Sequence, residues 1–333
     1  MTLVALGLVG GACEDRGPSG DAVGGLVVLS GDVGDTRITI LGGDSSRQVP
    51  VPDPATAWIS GTAGGGLVAT LADGRLAVLD DAATTGADWR SVDPSNAGEA
   101  VGSLLFGVAS PDGSRVASLA LGAAGQFGVA LTDPATDQSV VFPIDAEPVL
   151  TSPAWLDPER VAVVVVDPAT GGAVSIASAA SGDLTGGPGN VRALAVSADG
   201  AVVAWTSSVD GRLYGSNARS WLAGEEVAAL PIEGPEGATP GAFALDEGGS
   251  RIAIVWEDDA GQVVEIAIRT RTAEGWSAAE TFGAPGDDPR AVVTWLREGP
   301  SGYTGSRGLA RDGIRQVPSP GRRRSRPGPL RAA

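Results

Sequence analysis

The stretch LLFGVASPDGSRVASLAL, residues 104–121, decides the fold. Two apolar runs flank a turn centred on Ser110-Pro111-Asp112-Gly113. Asp-Gly supplies the positive-φ position that a tight turn needs, and an Asp carboxylate can accept from its own following backbone. The flanking runs are rich in Val, Leu and Ala without polar alternation, as in strands covered on both faces. The unit reads as a hairpin inside a layered all-β structure.

The same apolar–turn–apolar pattern occurs four more times. It reads ATAWISGTAGGGLVATLA (55–72), LTSPAWLDPERVAVVVV (150–166), ALAVSADGAVVAWTS (193–207) and GAFALDEGGSRIAIVWED (241–258). An alanine in each second strand marks the repeat: Ala69, Ala117, Ala162, Ala204 and Ala253, spaced by 48, 45, 42 and 49 residues. Such spacing is that of propeller blades. A third strand follows at 75–80, 127–133, 173–178 and 263–270, and a fourth at 139–144, 226–232 and 277–282. Four antiparallel strands make one blade. No stretch sustains the 3.6-residue period of an amphipathic helix.

The two ends of the repeat region complement each other. Residues 24–52 hold three strands without an opening one, whereas RAVVTWLRE (290–298) resembles an opening strand, with Trp295 placed as Trp155 is. Pairing 290–298 into the first sheet predicts six four-stranded antiparallel blades over 24–298 and removes two exposed sheet edges. The alternative is seven blades, the last degraded. Residues 299–333 are rich in Arg and Pro and are expected to be a disordered tail.

These units resemble the six-bladed, TolB-like (WD-type) propeller repeats, with their Pro-x-Trp-Ser-Pro-Asp-Gly hallmark and following Ala-containing strand. SPDGSRVASL (110–119) matches best, and Pro153-Ala154-Trp155-Leu156-Asp157 keeps the Pro and Trp. The resemblance implies a propeller that makes protein or ligand contacts rather than performing chemistry. As a lipid-anchored propeller the chain is also similar to the LpqB group of actinobacterial lipoproteins, whose propeller serves a sensor-kinase pathway. No partner residue carries over from that likeness.

Composition excludes several activities. The chain has no His and no Lys, so imidazole bases, Schiff-base lysines and the P-loop lysine are all unavailable. Its net charge is −17, and residues 301–333 contribute +7, leaving −24 on residues 1–300. An acidic body repels phosphates, so nucleic acid is not an expected partner. Neither a G-x-S-x-G elbow nor an Asp-box occurs: SADGAVVAW (197–205) places its Gly directly after the Asp.

Residues 3–12 are apolar, and this run is too short to cross a bilayer, which takes about 20 helical residues. It matches the core of a secretory signal over residues 1–12. The single cysteine follows in Val9-Gly10-Gly11-Ala12-Cys13, which resembles a bacterial lipobox. The likeness implies a lipid on Cys13, a polar tether over 13–23, and a membrane-anchored lipoprotein at the outer face of the bacterial cytoplasmic membrane or in the periplasm.

The expected function is therefore a non-catalytic scaffold, a monomer, that binds a protein or small ligand and needs no cofactor. The alternative is a carboxylate-based glycosidase or lyase with its site in the propeller channel. Acidic pairs occur at Asp80-Asp81, Glu225-Glu226, Glu257-Asp258-Asp259 and Asp287-Asp288. They leave room for a structural Ca²⁺ but form no D-x-D-x-D-G loop to supply its ligands. Of eight Trp, Trp58, Trp155, Trp205, Trp256 and Trp295 fall on inner or second strands and are expected to pack between blades. Trp89, Trp221 and Trp276 fall near outer strands or loops and are candidate exposed anchors for a partner.

Overall fold

The computed structural model describes residues 25–296, apart from 33, 43–44, 83–87, 93–100, 123, 226–229 and 284–289. The signal, tether, Cys13 and tail lie outside the described residues, as do Glu226, Asp287 and Asp288.

The described strands form six antiparallel sheets arranged as a β-propeller. Blade 1 contains β1 (Leu26–Ser30), β2 (Arg37–Gly42) and β3 (Ser45–Val49). Blade 2 is β4 (Thr56–Gly61), β5 (Leu67–Leu71), β6 (Leu76–Leu79) and β7 (Arg90–Val92). Blade 3 is β8 (Val101–Ala109), β9 (Val116–Gly122), β10 (Phe127–Asp133) and β11 (Gln138–Ile144). Blade 4 is β12 (Ala154–Asp157), β13 (Arg160–Val165), β14 (Ala173–Ser178) and β15 (Leu184–Gly189). Blade 5 is β16 (Val191–Val196), β17 (Val202–Ser207), β18 (Leu213–Asn217) and, after the helix α1 (Ala218–Leu222), β19 (Leu230–Ile232). Blade 6 is β20 (Thr239–Leu245), β21 (Arg251–Glu257) and β22 (Val263–Thr272). Its fourth place is shared by β23 (Gly275–Trp276) and β24 (Glu280–Gly283), both paired with β22. Finally β25 (Ala291–Trp295) pairs with β1 and completes blade 1.

The ring closes as the two chain ends suggest. Leu26 lies opposite Trp295 and Ser30 opposite Ala291, and the inner strands β25, β4, β8, β12, β16 and β20 touch one another in an unbroken circle. Closure is reinforced from both neighbouring blades. Gly61 N donates to Thr294 Oγ1 at 2.9 Å on one side, and Trp295 Nε1 donates to the Ala244 carbonyl at 3.0 Å on the other.

Burial on both strand faces explains the continuous apolar runs. The buried hydrophobics divide into six clusters, each lying between two adjacent blades. In β13, Val161 and Val163 join the cluster shared with blade 3, while Ala162 and Val164 join that shared with blade 5. Period-two geometry thus turns one apolar run into two interfaces.

The repeat register needs one correction. Ala117, Ala162, Ala204 and Ala253 each face the following blade, but Ala69 faces the preceding one. In blades 3, 5 and 6 the alanine follows, by two residues, the carbonyl that closes the turn: Arg115, Val202 and Arg251. In blade 2 that carbonyl is Gly66, so Val68 holds the equivalent place. Both are fully buried, and the neighbouring Ala obscured the shift.

The turns themselves are built as expected. Ser110 Oγ donates to Asp112 Oδ1, and Ser197 Oγ to Asp199 Oδ1, both at 2.6 Å. Gly113 and Gly200 then take φ values of 74° and 69°. Blade 6 uses another device: Asp246 accepts from Arg251 N and Nε, both at 3.0 Å, with Gly249 at φ 64°.

Candidate functional site

The inner strands converge on an axial cavity of about 70 Å³. Every blade contributes to its lining, including Trp58, Val108, Trp155, Ala195, Phe243 and Trp295, and no charged side chain does. Trp155 and Trp295 occupy equivalent places and make equivalent bonds to the preceding blade. Trp155 Nε1 reaches the Val108 carbonyl at 2.9 Å, as Trp295 Nε1 reaches that of Ala244. Trp58 is different. It pairs with Thr70, three residues before Gly61, which takes the corresponding place in blade 2. Its buried Nε1 has no partner among the described residues, and its ring meets that of Phe106 edge-on at 5.3 Å. Phe106 sits at a bulge of β8 with φ 57°, a conformation that a bulky residue adopts only when its surroundings impose it.

A wider recess of about 450 Å³ opens at the leading face, where the inner strands begin. Its walls come from the inner strands of blades 5 and 6, the segment 149–151 before β12, and the ends of β17 and β21. Val149, Leu150 and Pro240 are its apolar part, and Thr151, Thr206 and Thr239 supply hydroxyls. Arg192 and Glu257 are its two charged groups.

Both charges are presented by β-bulges, which re-aim side chains. Val191 pairs with Ser207 and Ala193 with Thr206, so Arg192 is the extra residue of β16. Around Glu257 two irregularities converge. Between Pro240 and Phe243 two residues of β20 face only Val255, and on the other edge Val264 is the extra residue of β22. Gly241, within the first bulge, leaves the room that the carboxylate fills: a Cβ there would lie 2.2 Å from Glu257 Oε1. Half-burial pushes the Glu257 carboxyl up from its ordinary value, and the neighbouring Asp258 carboxylate adds to this. Among the described residues, neither Arg192 nor Glu257 forms an ion pair or side-chain hydrogen bond.

The leading face also carries exposed apolar side chains. Leu150, Val166, Val209 and Val264, from blades 4, 5 and 6, are 63%, 43%, 76% and 43% exposed. They stand at the strand starts and strand-to-strand turns of that end of the ring.

Of the three Trp expected as exposed anchors, one is buried and two are partly buried. Trp221 is buried, its ring tilted against Trp205 at 5.2 Å, because α1 folds it inward onto the core between blades 4 and 5. Asn217 caps that helix by accepting from Ser220 N. Trp89 is half-buried on the core between blades 1 and 2 and donates to the Pro50 carbonyl at 2.7 Å. Trp276 is half-buried with its ring against Gly215, on the core between blades 5 and 6. The sequence did not single out Arg192 or the recess around Glu257. A legible signal was there: a charge inside NVRALAV (190–196), and the strand-breaking Thr-Pro-Gly of 239–241.

A carboxylate-based hydrolase needs two carboxylates facing one cleft. The axial lining offers none and the recess offers Glu257, while a neighbouring recess of about 250 Å³ is lined by Asp210, Glu233 and Glu236. Among the described residues no cluster of three or more His, Cys, Asp or Glu could hold a metal ion. No described helix is long and apolar enough to cross a membrane.

No protein-family model and no curated protein matches the sequence. Solved structures match the fold. A chain of a nidogen/laminin complex superposes with a TM-score of 0.56 at 12% identity, over 82% of this chain and 98% of the other. A putative TolB from Agrobacterium tumefaciens gives 0.53 at 17% identity, over 82% and 98%. TolB from Acinetobacter baumannii gives 0.56 at 13% identity, over 84% and 68%. The fold is thus TolB-like, and the likeness at these identities concerns the fold alone.

Proposed function

We propose that the chain is a non-catalytic binding module, held at the outer face of a bacterial membrane by a lipid on Cys13, whose leading face docks a protein. The carrying observation is the asymmetry between the axis and that face. The axial cavity is narrow and uncharged, whereas the leading face has a recess about six times larger, with exposed Leu150, Val166, Val209 and Val264 at the same end. Exposed apolar groups among polar ones favour association, because burying them is favourable at about 25 cal/mol per Å². One matched structure comes from a complex of two proteins, nidogen and laminin, which agrees with a fold used in assembly.

The test is a comparison of three proteins in intact cells: wild type, Cys13→Ala, and the pair Leu150→Asp with Val209→Asp. Cys13→Ala should move the chain from the membrane to the soluble fraction. The Asp pair should stay on the membrane and lose a cross-linked protein that wild type retains, with the interaction reproduced from purified components. A soluble wild-type chain would overturn the anchor. A cross-linking pattern unchanged by the Asp pair would overturn the docking face.

A further inference from the structure

We infer that the recess at the leading face is a binding site for a small zwitterion of the amino-acid or short-peptide type, its carboxylate on Arg192 and its ammonium on Glu257. This rests on the reading of the leading face as a binding surface and names a ligand for it. Arg192, exposed, and Glu257, half-buried, line the same recess without pairing with each other, and each stands at an irregularity of its sheet: the extra residue of β16 for Arg192, and the converging bulges beside Gly241 for Glu257.

A cavity that holds a cation and an anion apart is complementary to a molecule carrying both in the reverse order. The guanidinium suits a carboxylate, which it can grip with two parallel hydrogen bonds. The half-buried carboxylate suits an ammonium, whose charge would compensate the one that burial disfavours. Thr151, Thr206 and Thr239 offer hydroxyls for an amide between the two ends, and Leu150 and Pro240 offer an apolar wall for a small side chain. The recess, about 450 Å³, falls within the range of small-molecule sites.

Calorimetric titration of the full chain in detergent with L-alanyl-L-alanine tests this. Saturable binding to one site is expected. N-acetylalanyl-alanine, which lacks the cation, and alanyl-alanine amide, which lacks the anion, should each bind at least about tenfold more weakly. Arg192→Gln and Glu257→Gln should each weaken the unblocked dipeptide by a similar factor. The two blocked peptides need no variant, so the result does not depend on how well either variant folds. Absence of saturable heat to about 10 mM dipeptide, or equal binding of blocked and unblocked forms, overturns the zwitterion site. If the cross-linked protein partner is retained in that case, the docking face stands and only its ligand is wrong.

Discussion

The Trp295 indole nitrogen donates to the Ala244 carbonyl at 3.0 Å, tying the last described strand to the blade that precedes it. The Arg251 guanidinium lies 4.5 Å above the same indole ring and is itself held by Asp246. Trp155 repeats the bond to Val108 within the ring, whereas the Trp58 nitrogen has no partner among the described residues. Replacing each Trp by Phe keeps most of the apolar bulk and removes the donor. Trp155→Phe and Trp295→Phe should each cost about 0.5–1.5 kcal/mol, because a part-buried hydrogen bond is lost. Trp58→Phe should cost less, since it removes a donor already unsatisfied. Denaturant unfolding of the three variants checks the order, and an equal loss in all three would refute it.

Gly61 is the second grip on the closing strand. A Cβ there would lie 1.9 Å from the Trp295 carbonyl oxygen, and the obstacle is backbone rather than a flexible side chain. Gly61→Ala should therefore push β25 away from β4 and destabilise by about 1–3 kcal/mol, the usual range for overpacking. Part of the damage should appear as self-association, because a loosened β25 exposes the edge of β1. Thermal unfolding together with light scattering would show both effects.

The fold was legible because each blade repeats the same local physics: apolar runs long enough for two buried faces, and turns such as Ser110–Asp112–Gly113 that need their residue types. Ring closure by 290–298 was legible because an orphan opening strand and an orphan three-stranded set can complete each other. Less of the outer edge could be read. LTGGPG forms β15 because an edge strand tolerates Gly and Pro that a central strand would reject. Arg90–Val92 is too short to stand out from the loops around it. The recess was hidden for a different reason. Period-two reading assumes an unbroken register, and bulges at Arg192 and beside Glu257 change where side chains point without changing composition. Trp221 misled because α1, a five-residue helix, is too short to show a period.

The turn of blade 3 carries a pH signature. Burial works to raise the Asp112 carboxyl, but hydrogen bonds from the Ser110 hydroxyl and from the Ser114 backbone and hydroxyl outweigh it and hold the group below its ordinary value. A carboxyl lowered in the folded state adds stability above its unfolded pKa, and that contribution is lost as pH falls through the folded value. Asp112→Ala should thus destabilise near neutral pH, by about 1 kcal/mol or less after screening of a mostly exposed turn. In acid below the ordinary carboxylate range, as pH falls through the lowered folded value, the difference from wild type should shrink. Urea titrations at the two pH values measure it, and a gap that widened in acid would contradict the assignment.

Glu257 behaves in the opposite sense, and the contrast bears on why it is there. Half-burial raises its carboxyl above the ordinary value, with Asp258 beside it contributing further, while Arg192 is the only other charge lining the recess. A carboxyl raised in the folded state binds its proton more tightly there than in the unfolded chain. Stability is then greatest below the unfolded pKa and declines as pH rises through the folded one. Glu257→Gln keeps the shape and removes the charge, so it should raise the melting temperature near neutral pH. The group is partly exposed, so screening limits the gain to about 1–2 °C in a domain of this size. The gain should disappear below about pH 4, where wild type is protonated as well. If Glu257 lowers stability in this way, yet is accommodated by two bulges and a glycine, it is placed for what it contacts rather than for what it holds together. If Glu257→Gln melted lower than wild type near neutral pH, Glu257 would be a structural group, and the recess would lose one of the two charges that define its ligand.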